Sequence, residues 1–405
     1  MFVKKYSNQD KNLDKQMVSD LNGRMLKDFS LKNPRLLAAG CLAVILVILG
    51  VGLWPFNFFP KNKVEWLPDQ NGVHFYGHGT MMSAGLWNEK PPTLFPDKSI
   101  SLELWLQPLS DTNSLPSILA LYDGELPQVF YVGQWKSHLI VRSRTDDPTL
   151  RKRDRPYQEL GLQNALLKDQ DVFLTITSGA RGSAVYMNGA LARTYPRHRL
   201  LSGYHDDPFR FVLGNTTTGQ SYWNGNLLGL AVYSRVLAPE EVSKSYASWL
   251  QSDPGMMKQA KGLRALYLFY EREGKMVHNV ANPDDALTIP DIFEPVQRTF
   301  LSFPGWEFLR SNFASAMSDI AVNITGFIPL GLILSAYLLT KVRRKRWTVW
   351  VITAMVGLSI SLAIEVLQAY LPTRDSSLID VGCNLVGTLL GIAGSQVLRT
   401  RRFFS

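Results

Sequence analysis

Apolar positions follow two different rhythms along this 405-residue chain. Near the start, and three times in the last quarter, they run almost unbroken. The first run leads from Leu36 to Trp54 and closes in Trp54-Pro55-Phe56-Asn57-Phe58-Phe59, giving a span over 36–59. The others lie at 318–340, 347–370 and 378–398. At about 20 residues each run is long enough to cross a bilayer as a helix. From Val64 to Phe293 the rhythm changes to short alternating stretches bounded by Gly, Asp, Asn and Pro. Ser99 to Leu106 alternates with period two, as do Val172 to Thr177 and Ala184 to Met187, which predicts strands. Asn188-Gly189 predicts a tight hairpin turn. Phe211 to Asn215, Trp223 to Leu227 and Leu230 to Tyr233 predict further strands. Pro239-Glu240-Glu241-Val242, with proline and carboxylates in a first turn, opens a helix. The fold class expected is therefore an α-helical membrane bundle of four spans joined to an all-β jelly-roll sandwich.

Charge refines this picture. The formal net charge of +9 would suit a nucleic-acid binder, but the basic residues gather beside the apolar runs, a pattern that orients membrane proteins instead. A polar arm at 1–35 carries Lys4, Lys5, Lys11, Lys15, Arg24, Lys27, Lys32 and Arg35. Lys341 to Arg346 follows the second span, and Arg399, Arg401 and Arg402 lie in a tail at 399–405. With four spans, all these clusters fall on one side. Both termini are then cytoplasmic and residues 60–304 extracytoplasmic. The first apolar run is too long, and too aromatic at its end, for a cleaved signal peptide. Trp306, Phe308 and Phe313, in a linker at 294–317, form a second interfacial aromatic group. The only cysteines, Cys41 and Cys383, lie in spans, so the β segment carries no disulfide.

The last three spans, grouped at 318–398, hold polar residues that a lipid-facing helix does not need. Asp319 and Asn323, Glu365 and Gln368, and Asp380 and Asn384 are three or four apart, so each couple shares a helix face. A charge near a bilayer centre costs at least about 2.5 kcal/mol, which predicts a shared interior or mouth for the carboxylates. Asp319, Glu365 and Asp380 are the candidate catalytic acids or bases. Asn323, Gln368, Arg374, Asp375 and Asn384 are the candidate ligand-binding residues, with Arg374 suited to a carboxylate partner or a ligand phosphate. The competing reading is helix-helix glue, in which Gly387-x-x-x-Gly391 permits close approach.

The order Asp319-x-x-x-Asn323-x-x-Gly326-Phe327-Ile328-Pro329-Leu330-Gly331, then Glu365-x-x-Gln368, then Pro372-x-Arg374-Asp375, then Asp380-x-x-x-Asn384 resembles the VanZ-like family, named for a glycopeptide-resistance determinant. That resemblance implies a bacterial inner-membrane protein. In the β segment, Ser101-Leu102-Glu103-Leu104-Trp105, Val185-Tyr186-Met187-Asn188-Gly189, Leu213-Gly214-Asn215, Trp223-Asn224-Gly225 and the helix at 237–246 resemble LamG-like jelly rolls of the concanavalin A type. Leu263 to Phe269, followed by Val277-His278-Asn279, looks like the strand that normally begins such domains, yet it follows the helix. This predicts a circularly permuted sandwich at 64–293, inserted between two spans.

Function divides three ways at this stage. The LamG-like resemblance implies binding of an envelope or exported polysaccharide. The polar couples suit an enzyme or carrier for a lipid-linked envelope precursor. Third, the sandwich could dock other envelope proteins. Glycoside hydrolysis needs two carboxylates, whereas Glu103 stands alone among leucines. His74 and His78 lack helical metal-ligand geometry, so no metal site is predicted. Asp146, Asp147, Asp206 and Asp207 leave calcium possible as rim ligands, against an ordinary role in turns. Arg142, Arg144, Arg151, Lys152, Arg153 and Arg155 read as a solvated loop, with an anionic glycan or lipid surface as the alternative.

Overall fold

A computed structural model describes residues 33–401 except 90–92, 113, 152–155, 252–257, 304–312, 342–344 and 373, and omits the side chains of 313–316 and 399–401. The arm up to Lys32, the loop residues Lys152, Arg153 and Arg155, the aromatics Trp306 and Phe308, the side chain of Phe313, Arg343, Arg344 and the side chains of the C-terminal arginines lie outside the described residues. The chain divides into two compact units, 1–57 with 299–405, and 58–298.

In the helical unit, α1 (Pro34–Gly52) begins at Asn33, whose side chain accepts the Arg35 N–H at 3.1 Å, with Pro34 in the first turn where a missing N–H costs nothing. It is followed by α3 (Phe313–Lys341), α4 (Arg346–Gln368) and α5 (Leu378–Arg401). All four are long and apolar enough to cross a membrane. Small residues let α3 and α5 meet at backbone distance. A Cβ on Gly387 would come within 2.2 Å of the Ile324 carbonyl oxygen, one on Gly391 within 2.2 Å of that of Ile328, and one on Gly331 within 2.0 Å of that of Thr388. Deeper along the same seam the Ser335 hydroxyl donates to that of Ser395 at 2.8 Å.

The other unit is a sandwich of two eight-stranded antiparallel sheets. The first contains β1 (Val64–Trp66), β2 (Val73–Phe75), β13 (Gly225–Tyr233), β4 (Ile100–Pro108), β9 (Val172–Gly179), β10 (Gly182–Met187) and β11 (Ala190–Tyr195) in that order, with β14 (Leu263–Tyr267) also on β13. The second runs β15 (Met276–Val277), β16 (Leu287–Thr288), β3 (Met81–Ser83), β12 (Arg210–Leu213), β5 (Ser117–Tyr122), β6 (Phe130–Trp135), β7 (His138–Arg144) and β8 (Tyr157–Leu162). Alternation sorts the side chains. Ile100, Leu102, Leu104 and Leu106 of β4 enter the core between the sheets, where Phe75, Phe211, Leu230 and Tyr267 are also fully buried. The opposite side of the first sheet carries a smaller core of Phe173, Tyr233 and Trp249, roofed by α2 (Pro239–Leu250). Asn188 and Gly189 turn the β10–β11 hairpin with φ of 49° and 78°, the left-handed values that an Asn-Gly turn supplies.

The segment after α2 completes the sandwich, as a permuted order requires. β2 and β14 share one edge of β13, β2 pairing with Gly225 to Leu227 and β14 with Leu230 to Tyr233. β16 adds to β3 on the other sheet. The two ends of the unit also meet: Lys61 bridges Ile292, and the Phe293 N–H donates to the Pro60 carbonyl at 2.8 Å. Termini this close suit insertion between two spans.

Candidate functional site

Glu365 ends α4 with a side chain that is almost fully buried. Its Oε2 accepts the Ser377 N–H at 2.7 Å, while the Ser377 hydroxyl accepts the Ile379 N–H at 3.2 Å and so caps α5. The carboxylate thus sits at the α5 N-terminus, where the helix dipole favours negative charge. One turn inside, Asp380 hydrogen-bonds Asn323 of α3 and lies within electrostatic reach of Asp319, Asp375 and Glu365. Deeper still, the Asn384 amide donates to the Ser361 hydroxyl at 2.9 Å, and its buried Oδ1 has no partner. Ser361, missed in the sequence reading, lies one turn before Glu365 on the same face of α4. Its i, i+4 spacing to Glu365 was the available signal.

The remaining predicted residues go elsewhere. The Gln368 amide donates to the Gly52 carbonyl at 2.8 Å, and Arg374 Nε to the Trp54 carbonyl at 3.2 Å. Gln368 thus serves a terminal carbonyl that α1 leaves without a helical partner, and Arg374 a carbonyl two residues past the helix end. Arg374 forms no ion pair with Asp319, Glu365 or Asp380. Asp319 and Asp375 are exposed. Ser376 is buried and holds the chain before α3, accepting the Leu301 N–H on its hydroxyl at 3.0 Å and the Ser302 hydroxyl on its carbonyl at 2.8 Å.

The sandwich holds a second group of functional character, on the outer face of its second sheet. Register places Val212, Ala120, Tyr131, Arg142 and Glu159 in one cross-strand row, with Arg210 beside Tyr122 in the next. Ala120 and Val212 are small and buried, leaving the longer side chains to form the surface. The Arg142 guanidinium lies over Tyr157 and Tyr131, 4.8 and 5.9 Å from their ring centres, and its Nε donates to Glu159 at 2.6 Å. Burial, against the pull of Arg142, pushes the Tyr131 phenol up to about 12. Glu159 also lines a cleft of about 600 Å³ with Gln158, Thr194, Tyr195, Arg197 and His198. This cleft opens between the edge strands β8 and β11, which the Tyr195 hydroxyl ties by donating to the Gly161 carbonyl at 2.7 Å. His198 is buried between Ser143 and Ser183, and burial drives its imidazole down to about 4, so it is neutral at ordinary pH.

Arg142 and Arg144 thus belong to a strand, not to the solvated loop expected of them. The alternation of β7 places both on its outer face, where Arg144 is buried against Asp123, with Glu125 at 3.2 Å and the Gly203 carbonyl at 2.9 Å. Arg151 is exposed. Glu103 is sealed under α2, its Oε2 accepting Tyr233 and Trp249 at 3.1 and 3.0 Å. Burial raises its carboxyl, against hydrogen bonds from Trp249, Ser245 and Tyr233. His74 meets Asn226 at 2.8 Å, whereas His78 packs against Phe293, so the two rings do not converge. Asp147 caps a short 3-10 turn by accepting the Thr149 N–H at 2.8 Å, Asp146 lies 3.5 Å from His205, and the Asp206 and Asp207 carbonyls accept Asn88 and Tyr204. These are roles of turn residues.

The fold joins four helices that are long and apolar enough to cross a membrane to a jelly-roll sandwich. Residues 87–243 match the family model of the concanavalin A-like lectin/glucanases superfamily, Laminin_G_3, and residues 274–399 match that of VanZ/LLP1. The chain therefore carries a VanZ-like membrane domain and a LamG-like domain. The LamG-like match takes in β4 to β13 and leaves out the six strands at the two ends of the sandwich. No curated protein matches the chain. Among solved structures, the binding domain of botulinum neurotoxin DC in complex with SialylT aligns at 14% identity over 46% of this chain and 45% of that one, with a TM-score of 0.34. The CBM40 domain of Ruminococcus gnavus IT-sialidase bound to alpha2,3 sialyllactose aligns at 13% identity over 46% of this chain and 97% of that one, with a TM-score of 0.32. This chain spans less than half the length of the neurotoxin structures it matches.

Proposed function

We propose that the protein holds its sandwich on the outer side of a bacterial inner membrane and binds an envelope or exported polysaccharide there. The observation that carries this reading is the continuity of the Tyr131–Arg142–Glu159 row with the cleft beside Arg197 on a LamG-like domain. Aromatic faces stack on sugar rings, and planar guanidinium and amide groups meet hydroxyls. Binding is favoured over hydrolysis because the carboxylate on the strand comparable to those of hydrolases, Glu103, is sealed beneath a helix. The test is the full-length protein in nanodiscs against a panel of neutral and acidic polysaccharides. Saturable binding to at least one member is expected, and binding to none would refute the reading. Its topology is checked by reporter fusions after Asn71 and Asp253, expected outside, and after Lys345 and at the C-terminus, expected in the cytoplasm.

A second reading is supported by Asn384 and Glu365. A buried amide oxygen without a partner and a buried carboxylate held by one backbone N–H leave acceptor capacity inside the bundle. In that reading the VanZ-like domain handles a lipid-linked envelope precursor, with Glu365 and Asp380 as acid or base and Asn323 and Asn384 on polar groups of the ligand.

A further inference from the structure

We infer that the polysaccharide taken by the sandwich is acidic, its carboxylates drawn to Arg210 at one end of the face and to Arg197 in the cleft; this rests on the glycan-binding reading above. Unlike Arg142, Arg144 and Arg235, these two arginines have no carboxylate partner among the described residues. Arg142 is committed to Glu159, Arg144 to Asp123 and Glu125, and Arg235 to Glu241 at 2.6 Å. Arg210 is half-buried, with Nη1 3.7 Å from Met82 Sδ, and among the described residues no carboxylate stands within ion-pair distance of it. Arg197 is exposed on the wall of the cleft, again with no carboxylate paired to it among the described residues.

Half-buried without an anion, the Arg210 guanidinium bears a desolvation cost that a ligand carboxylate would offset, and at both positions the planar fork suits that group bidentately. Between the two positions the charge stays positive, because the carboxylate of the row, Glu159, is already paired with Arg142. Spacing suits a chain of sugars rather than one ring: Arg210 on β12 and Arg142 on β7 are three strands apart, about 14 Å at the usual interstrand distance. Tyr131, half-buried, lies between them, while Tyr122 is buried with its hydroxyl donating to Gln297 at 2.9 Å. An anionic lipid surface is the rival for so basic a face, but such sites push exposed apolar side chains into the headgroup boundary. Here Met82, Tyr131 and Tyr157 are half-buried and Tyr122 is buried.

The experiment uses the full-length protein in zwitterionic nanodiscs, titrated with oligosaccharides of alginate, polygalacturonate and hyaluronate. Each is compared with its carboxyl-reduced, neutral form, and phosphatidylglycerol vesicles serve as a separate probe. At least one acidic oligosaccharide should bind, with affinity falling about tenfold or more on carboxyl reduction, as expected for a charge-assisted pair. Arg197→Gln, on an exposed side chain, should weaken binding about tenfold without changing the melting temperature. Arg210→Lys should fall between the parent and Arg210→Gln. Equal affinity for reduced and acidic forms, or binding of neutral polysaccharides alone, would overturn the acidic preference and leave glycan binding standing. Binding to no polysaccharide at all would overturn both. Capture of the vesicles, blocked by Arg197→Gln, without binding of any acidic oligosaccharide would assign the face to lipid.

Discussion

The side-chain amide of Gln368 donates to the backbone carbonyl of Gly52 at 2.8 Å, tying the end of the third predicted span to the end of the first across 316 positions of sequence. In an apolar surround the carbonyl has few other partners, yet polar bonds between spans are worth only about 0.6 to 2 kcal/mol. Gln368→Leu should therefore lower the melting temperature of the detergent-solubilised protein modestly while leaving it folded. An unchanged melt would mean that water serves Gly52 equally well.

Glu103 makes the sandwich sensitive to pH in a direction opposite to most carboxylates. Its folded-state affinity for a proton is raised by burial, so the folded protein binds more protons than the unfolded chain between the usual carboxylate range and the raised value. Its contribution to stability is full below that window and is lost as pH rises through it. Glu103→Gln keeps an oxygen for Tyr233 and Trp249 and cannot ionise, so its melting temperature should decline less from pH 5 to pH 8 than that of the parent. Glu103→Leu should cost about 1–3 kcal/mol at pH 5, because it strands both donors, and less at pH 8, where the parent has lost the contribution of its protonated carboxyl. Parallel pH profiles for the parent and Glu103→Gln would refute this account.

Removing the strands after α2 should unmake the sandwich. A fragment covering 58–298 is expected to be soluble and to melt in one cooperative step. One ending at Leu250 lacks β14 to β16, which supply Leu266, Tyr267, Val277 and Leu287 to the buried set. It also bares half of one edge of β13, a template for pairing between chains. Light scattering and circular dichroism would show aggregation of the short fragment. Equal solubility and melting would rule out the closing role given to these strands.

Glu365→Gln separates a working carboxylate from glue. The substituted amide keeps an oxygen for the Ser377 N–H, so membrane abundance should hold close to that of the parent. If the carboxylate acts on a ligand or proton, the envelope phenotype seen on deletion should reappear despite normal abundance. Loss of function only in step with abundance would return the cluster to a structural role.

What could be read from the sequence is what short spacing encodes. Length and unbroken apolarity marked the four helices, because backbone groups inside a bilayer must be satisfied within the segment. Asn188-Gly189 marked a hairpin, because both positions need positive φ. Gly387 and Gly391, one turn apart, marked the face where α5 meets α3, because neither leaves room for a Cβ. Tertiary structure decided which polar groups meet. Helical spacing put Gln368 one turn from Glu365 but could not say that its amide would turn to Gly52, or that Arg374 would do the same for Trp54. Period-two alternation marked the strand that carries Glu103, whereas Arg142 falls in a basic run that reads as a solvated loop, and only the structure put it on a strand. Only the path of the chain laid α2 over the first and left the second open beside Tyr131 and Tyr157. Local periodicity fixes the face on which a side chain stands, whereas its partner there depends on strand order and helix packing between residues far apart in sequence.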